Sequence, residues 1–332
     1  MPTEVSDWND LDAMRNDLAG EYILTADLDE NTTGYGDHAS ETANGGDGWE
    51  SIGDDTTPFT GTFDGDGHSI SDMYSDRDEW VGLFGEIDTG TIENLSVLDF
   101  EMHCTLGFGP SGIGVWIEES TVHNCHVTGH MTDGDDNAGG ISAIVFPGTT
   151  ITRCSADVTI DGLNTASRSC PFVGWLEGAT VEDSWARGSM AEMDNDSAIF
   201  CGVMRSGAVI RDCYAIGPTV HAPSGSRVGG FVARMRDDAH VERCFSVVES
   251  ITGESQVGGF VGSLEDNATV ADSFWDEEVS NLDTSPAGTA KTTAEMQDID
   301  TYTDTGTEGL DSPWDMVTMS NFTGNETWVI EE

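Results

Sequence analysis

Asp183 and Asp212 are the two carboxylates whose types and spacing best suit joint chemistry, each standing fourth in a similar seven-residue segment, TVEDSWA and VIRDCYA. If those segments stack, their carboxylates stack as well. Such a pair could hold a cation, or repulsion could raise one carboxyl's pKa so that it serves as the general acid of a sugar-cleaving enzyme. The plain alternative is two solvated acids fanning apart. Asp64 and Asp66 in DGDG, and Asp133, Asp135 and Asp136 in DGDD, suggest calcium by residue type. Neither run continues with the ligand spacing of a known loop, and Asp/Gly turn chemistry accounts for both. His123 and His126 straddle an inward position and face different ways, so they are not read as a metal pair. There is no G-x-S-x-G elbow, no identifiable nucleophile and base, and no C-x-x-C spacing. A protein without an active site or cofactor is expected. Were it an enzyme, Asp183 and Asp212 would carry the chemistry; were calcium or another cation bound, Asp64, Asp66, Asp183 and Asp212 would be the candidate ligands.

A repeat is what would bring such residues together. The stretch from Val257 to Asp276, VGGFVGSLEDNATVADSFWD, joins a Gly-hydrophobic run to a strand-like segment through a polar turn. The same pair of segments recurs as VGLFGEI with TIENLSV, SGIGVWI with TVHNCHV, GGISAIV with TITRCSA and PFVGWLE with TVEDSWA. It returns as IFCGVMR with VIRDCYA and GGFVARM with HVERCFS, making seven copies. The last position of the T-V-x-x-C motif falls at Leu95, Cys125, Cys154, Ser184, Cys213, Cys244 and Ser273, so by subtraction the steps are 30, 29, 30, 29, 31 and 29 residues. Near-constant spacing with loose identity predicts a solenoid, because each coil must present the same shape to its neighbours. No helix-length apolar pattern lies within the units, so the coils are β, and seven rungs at ~4.8 Å span about 34 Å.

GGFVG followed by TVADSFWD resembles the GLUG repeat of bacterial and archaeal surface proteins, adhesin-like and peptidase-associated ones among them. TFDGDGHSISDM resembles the coil that precedes such repeats, and SFWDEEVSNLDTSPAGTAKTTAEMQDIDTY the segment that closes them. The resemblance covers roughly residues 20 to 302 and implies an all-β, right-handed parallel β-helix. Ala143 and Ala233 depart from it at the second glycine, and Pro171 and Ile199 at the first pair.

Stacked coils turn repeat positions into columns. The marker column of Leu95, Cys125, Cys154, Ser184, Cys213, Cys244 and Ser273 is expected to point inward, its cysteines acting as compact hydrophobes with free thiols. In the column before it, Arg243 falls between Asp212 and Asp272; one position earlier, Arg211 falls between Glu182 and Glu242. These two arginines are predicted to pin the rung register.

Around this core, residues 1–20 read as an N-terminal helical cap, with Leu11, Met14 and Leu18 on one face and Ser6 or Asn9 as cap. Residues 21–276 form the solenoid, with a polar excursion at 31–58, and 277–332 a C-terminal cap. Thr292 with Glu295 forms a capping box there, and Trp314, Phe322 and Trp328 cover the last coil or make a trimer contact. Side loops at 103–111, 161–169 and 217–227 are the expected recognition elements, and N-x-S/T sequons include Asn94, Asn195, Asn267 and Asn321.

Sixty-two acidic against 12 basic residues give a formal charge of -50, scattered along the chain and carrying a single lysine, Lys291. That is the surface expected of an extreme halophile, since concentrated salt shrinks the Debye length to ~3 Å and screens the self-repulsion. Nucleic acid is disfavoured as a partner, because phosphate binding needs Lys and Arg patches. Neither a signal region nor an apolar run long enough to span a membrane is visible. The expectation is a non-enzymatic surface or virion protein (a fibre, spike or turret) of a halophilic archaeon or its virus, exposed outside the cell. It would contact other structural subunits and a host protein or glycan, as a homotrimer in one arrangement. The alternatives are a β-helical polysaccharide lyase or hydrolase and a fragment of a secreted adhesin.

Overall fold

The computed structural model of the chain describes residues 1–104, 106–133, 136–162, 166–318 and 328–330, without the side chains of Asp133, Thr318 and 328–330. Its body is an all-β parallel solenoid whose coils each contribute to three sheets. Sheet C takes the Gly-hydrophobic segments, from Gly82–Asp88 and Ser111–Glu118 to Val261–Leu264. Sheet A takes the T-V-x-x segments, three-residue strands such as Thr121–His123, Thr150–Thr152 and Thr180–Glu182. Sheet B takes the strands that follow, such as His126–Asp133, Ser155–Gly162 and Trp185–Ala191. Every rung-to-rung pairing in the three sheets is parallel, and in sheet A the register runs Thr91, Thr121, Thr150, Thr180 without a shift.

Alternation within each strand builds the core. The middle residues of the sheet A strands, Ile92, Val122, Ile151, Val181, Ile210 and Val241, are fully buried, while their flanking residues reach solvent. Under sheet C, Phe172, Phe200, Phe231 and Phe260 stack face to face at 4.4, 4.7 and 4.9 Å between ring centroids, at angles of 17° or less. Identical residues at one phase thus repeat the rung spacing in their own contacts.

A left-handed residue turns sheet A into sheet B in each of the seven copies: φ is 54° at Asn94, 52° at Asn124, 54° at Arg153, 50° at Asp183, 54° at Asp212, 51° at Arg243 and 46° at Asp272. Asn and Asp tolerate this region, which explains why they fill five of the seven positions. The next residue, the predicted inward column, is buried throughout. From Cys125 onward each of its side chains donates to the carbonyl two residues back: Cys125 Sγ to His123 O at 3.4 Å, Ser184 Oγ to Glu182 O at 2.7 Å, Cys244 Sγ to Glu242 O at 3.3 Å and Ser273 Oγ to Ala271 O at 2.7 Å. The column therefore selects small side chains that can donate, rather than compact hydrophobes alone.

Three local expectations change. The first helix, Trp8–Ala13, is capped by Asp7, whose carboxylate accepts from the amides of Asn9 and Asp10, while a strand at Thr3–Val5 joins sheet A. Residues 31–58 are not simply a solvated excursion: Trp49 and Ile52 are fully buried, and Ile52 and Phe59 bridge to Phe84 and Ile87 of sheet C. Residues 217–227 lie inside a sheet B strand, Tyr214–Gly229, which pairs with Ile251–Gly258, so no side loop exists there. At the far end the Thr292–Glu295 capping box is present. Trp314 is 3% exposed and packs with Tyr302 on Phe274, on the outer flank of the last coil. Phe322 lies outside the described residues, as does the side chain of Trp328.

Candidate binding site

The predicted carboxylates occupy the corner between sheets A and B. Asp183 and Asp212 do fall on adjacent rungs, both in the left-handed turn. Asp212 is engaged by Arg243, whose Nε and Nη2 donate to its two oxygens at 2.7 and 2.8 Å. Asp183 stands exposed; partial burial pushes its carboxyl up, repulsion from Asp212 adds to this, and Arg153 and Arg243 oppose it. Asp64 accepts from the Asp66 amide at 2.9 Å and from Asn94 Nδ2 at 3.0 Å, an Asx turn tied to the next rung. Gly134 and Asp135 of the other acidic run lie outside the described residues. Among the described residues no group of three or more His, Cys, Asp or Glu side chains is arranged to hold a metal ion.

The structure also makes a Ser/His contact that the sequence did not reveal, His126 Nδ1 to Ser155 Oγ at 2.7 Å. The same contact recurs at three other positions, from His123 to Thr152 on the same rung and from His221 to Thr252 and His240 to Thr269 on two others, each at 2.8 Å. Recurrence at this register marks it as a rung-to-rung tie.

The most distinctive surface lies on the outer face of sheet C. Trp116 and Trp175 stand in one outward row with Ile144 between them, and Phe146 follows the strand Ser142–Val145. Trp80 and Phe108 reach the same face from the turns that lead into sheet C. Trp116 is the centre, met by Phe108 at 4.7 Å, Trp80 at 5.3 Å and Phe146 at 5.4 Å. All five rings are partly exposed, and Leu106, two residues before Phe108, is 59% exposed. On a chain of charge -50 such an apolar patch is a candidate interaction site. Trp80 also holds a left-handed φ of 56°, an uncommon conformation for a bulky residue, which places its ring against Trp116.

Phe108, Trp116, Phe146 and Trp175 wall a hollow of about 310 Å³ whose polar lining is Asn137, Arg168 and Glu177. Arg168 pairs with Asp136, and its guanidinium lies 5.3 Å from the Trp175 ring centre, as Arg205 does at 5.4 Å. Trp175 Nε1 donates to Glu177 at 3.3 Å, and Glu177 also meets Arg205 at 3.5 Å. Among the described residues, three buried polar atoms of the lining have no partner: Asn137 Oδ1, Arg168 Nε and Trp116 Nε1. Glu86, in register with Trp116, has one buried oxygen without a partner among the described residues, and burial first, then nearby acids, hold its carboxyl up.

Of the side loops, the described parts of 103–111 and 161–169 supply Phe108 and Arg168 to this hollow. The rings themselves escaped sequence reading. Their available signal was outward phase: Trp116 and Trp175 sit beside inward residues in SGIGVWI and PFVGWLE, where an acidic surface would otherwise place a polar group.

No protein-family model matches the chain. Over 166 residues, 47% of this chain and 2% of the other, it is 34% identical to Halomucin of Haloquadratum walsbyi. Over 90 residues, 26% of this chain and 10% of the other, it is 37% identical to a protein of Evansella cellulosilytica named as a Gly-rich membrane protein. The chain thus spans a small part of either relative. Among solved structures, a Bacteroides ovatus protein named as an immunoglobulin A1 protease superposes with a TM-score of 0.53 at 17% identity, over 89% of this chain and 86% of that one. An IgA1 protease superposes at 0.54 and 15% identity, over 87% and 23%. At these identities the likeness is one of fold: a β-helix shared with protease-associated proteins.

Proposed function

We propose that the chain is a non-enzymatic recognition segment of a surface or virion structural protein from a halophilic archaeon or its virus, and that it holds carbohydrate of a host or matrix surface on sheet C. The observation that carries this is the partly exposed group of Trp80, Phe108, Trp116, Phe146 and Trp175 around a hollow on an otherwise acidic solenoid. Aromatic rings with a few polar groups suit sugar rings, which present apolar faces and hydroxyl edges. The similarity to Halomucin of a halophilic archaeon and the formal charge of -50 support the setting. No helix among the described residues is long and apolar enough to cross a membrane.

The test is binding of the purified chain to cell-envelope polysaccharide in concentrated KCl, beside Trp116→Ala. Retention of the wild type and loss in the variant support the proposal; equal retention, or none by either, overturns it. A second reading, a polysaccharide hydrolase, draws on Glu86, whose raised carboxyl beside Trp116 suits a general acid better than exposed Asp183. Release of reducing ends by the wild type but not by Glu86→Gln would establish it.

A further inference from the structure

We infer that the hollow beside Trp116 takes one uncharged pyranose unit of a polysaccharide that lies lengthwise along sheet C. This rests on the carbohydrate reading of the same face and goes on to name the ligand's charge, its direction and its polar anchors.

Polar chemistry comes first. Asn137 is 5% exposed, and among the described residues its Oδ1 has no hydrogen-bond partner; Arg168 Nε and Trp116 Nε1 likewise have none there. Unpartnered buried groups of this kind are costly, and a ligand that pairs them recovers that cost. The set comprises one acceptor and two N–H donors on residues that line the hollow; each atom lies beneath its wall, out of contact with solvent, and meets a ligand hydroxyl by rotation of its side chain. A sugar hydroxyl donates and accepts from one atom, whereas a lipid chain or an apolar side chain would leave all three orphaned.

Charge comes second. The arginines at the rim are already matched: Arg168 with Asp136, and Arg205 with Glu177 at 3.5 Å and Asp237 at 4.0 Å. Among the described residues each guanidinium at the rim is thus balanced by an acid, Glu86 adds a carboxyl in the outward row, and the whole chain repels polyanions. An uncharged sugar meets none of that repulsion.

Direction comes third. Trp80 lines a second hollow of about 300 Å³, together with Arg15, Ser51 and Thr57, while its ring touches Trp116 and Phe108. Trp80, Trp116 and Trp175 belong to successive parts of the stack, so the track crosses the strands and follows the solenoid axis. A polymer can fill both hollows at once; a single sugar cannot.

The experiment is calorimetric titration of the wild type in concentrated KCl, and again in dilute buffer, with cellotetraose, maltotetraose and mannotetraose, with the corresponding monosaccharides, and with polygalacturonate and chondroitin sulfate. At least one neutral tetrasaccharide is expected to bind in concentrated salt, tenfold or more tighter than its monosaccharide. Asn137→Gly, which suits the left-handed φ of 69°, and Trp80→Ala should each weaken it about tenfold with melting unchanged. Binding of the acidic polymers alone would overturn the inference while leaving the carbohydrate reading standing. Binding of neither class would overturn both. Neutral binding untouched by Asn137→Gly and Trp80→Ala would show that this hollow is not the site.

Discussion

Arg243 grips Asp212 across one rung with both arms of its guanidinium, at 2.7 and 2.8 Å, and reaches Glu242 with its third nitrogen at 2.6 Å. The expected second partner, Asp272, is used elsewhere: its carboxylate accepts from the amides of Asp311 and Ser312 and so holds the C-terminal segment. Arg211 likewise lies 3.0 Å from Glu182, in an ion pair without hydrogen-bond alignment. Each arginine thus ties its coil to the preceding one. Because the Arg243 fork is charged, bidentate and partly buried, Arg243→Gln should cost about 1–2 kcal/mol in dilute buffer and less in concentrated KCl. Thermal melts of both proteins in the two salts check this, and unchanged melting in dilute buffer would show that the fork does not pin the register.

Asp183 has the opposite character. It sits next to Asp212 without an arginine of its own, and burial and repulsion raise its carboxyl above the usual range. A folded-state pKa above the unfolded value means that the charged group opposes folding at any pH above both. Asp183→Asn removes the charge and keeps a residue suited to φ of 50°, so it should stabilise the protein at neutral pH by up to about 0.5 kcal/mol, the scale of an exposed charge pair. The gain should vanish as pH falls through the carboxylate range. Denaturant midpoints at neutral pH and near pH 3 measure both halves, and destabilisation at neutral pH would contradict the pairing.

The coil and its inward columns were legible because stacking repeats one shape: a residue step of 29 to 31 recurs six times, and a Val or Ile stands two positions before each of seven left-handed corners. The sheet C hollow was less so. Phe108, Asn137 and Arg168 come from turns between coils, where length and phase vary, and only the register of Trp116 with Ile144 and Trp175 shows that they share a face. The burial of Trp49 was hidden for a similar reason, since it enters the core from a Gly- and Asp-rich segment without periodicity.

His126 provides a pH test of the rung ties. Its Nδ1 meets Ser155 Oγ at 2.7 Å, and its ring lies 5.9 Å from that of Trp185. Burial lowers its pKa below the usual 6.5, and Asp157 and a hydrogen bond to the Ser155 backbone offset this in part. The unfolded chain then binds the proton more readily, so this contribution to stability is complete above about pH 6.5 and declines as pH falls through that value to the lower folded pKa. Between about pH 7 and pH 5, the wild type should lose more stability than His126→Gln. Equal losses, read from denaturant midpoints, would mean that His126 titrates in the fold as it does in the open chain.

Cys244 distinguishes two accounts of the inward column. Were it only a compact hydrophobe, alanine would replace it better than serine, because a buried hydroxyl loses its water. The structure gives the position a donor's role: Cys244 Sγ faces Glu242 O at 3.3 Å, and the serines of the same column make that contact at 2.7 Å while accepting the amides of Cys154 and Cys244 at 3.1 and 3.0 Å. A serine at 244 would find the same carbonyl ahead of it and the Cys213 amide on the preceding rung. Cys244→Ser should therefore be more stable than Cys244→Ala by about 0.5–1.5 kcal/mol, the net worth of a hydrogen bond. Chemical denaturation of the two variants in concentrated KCl gives the ranking, and alanine ahead of serine would return the column to simple packing.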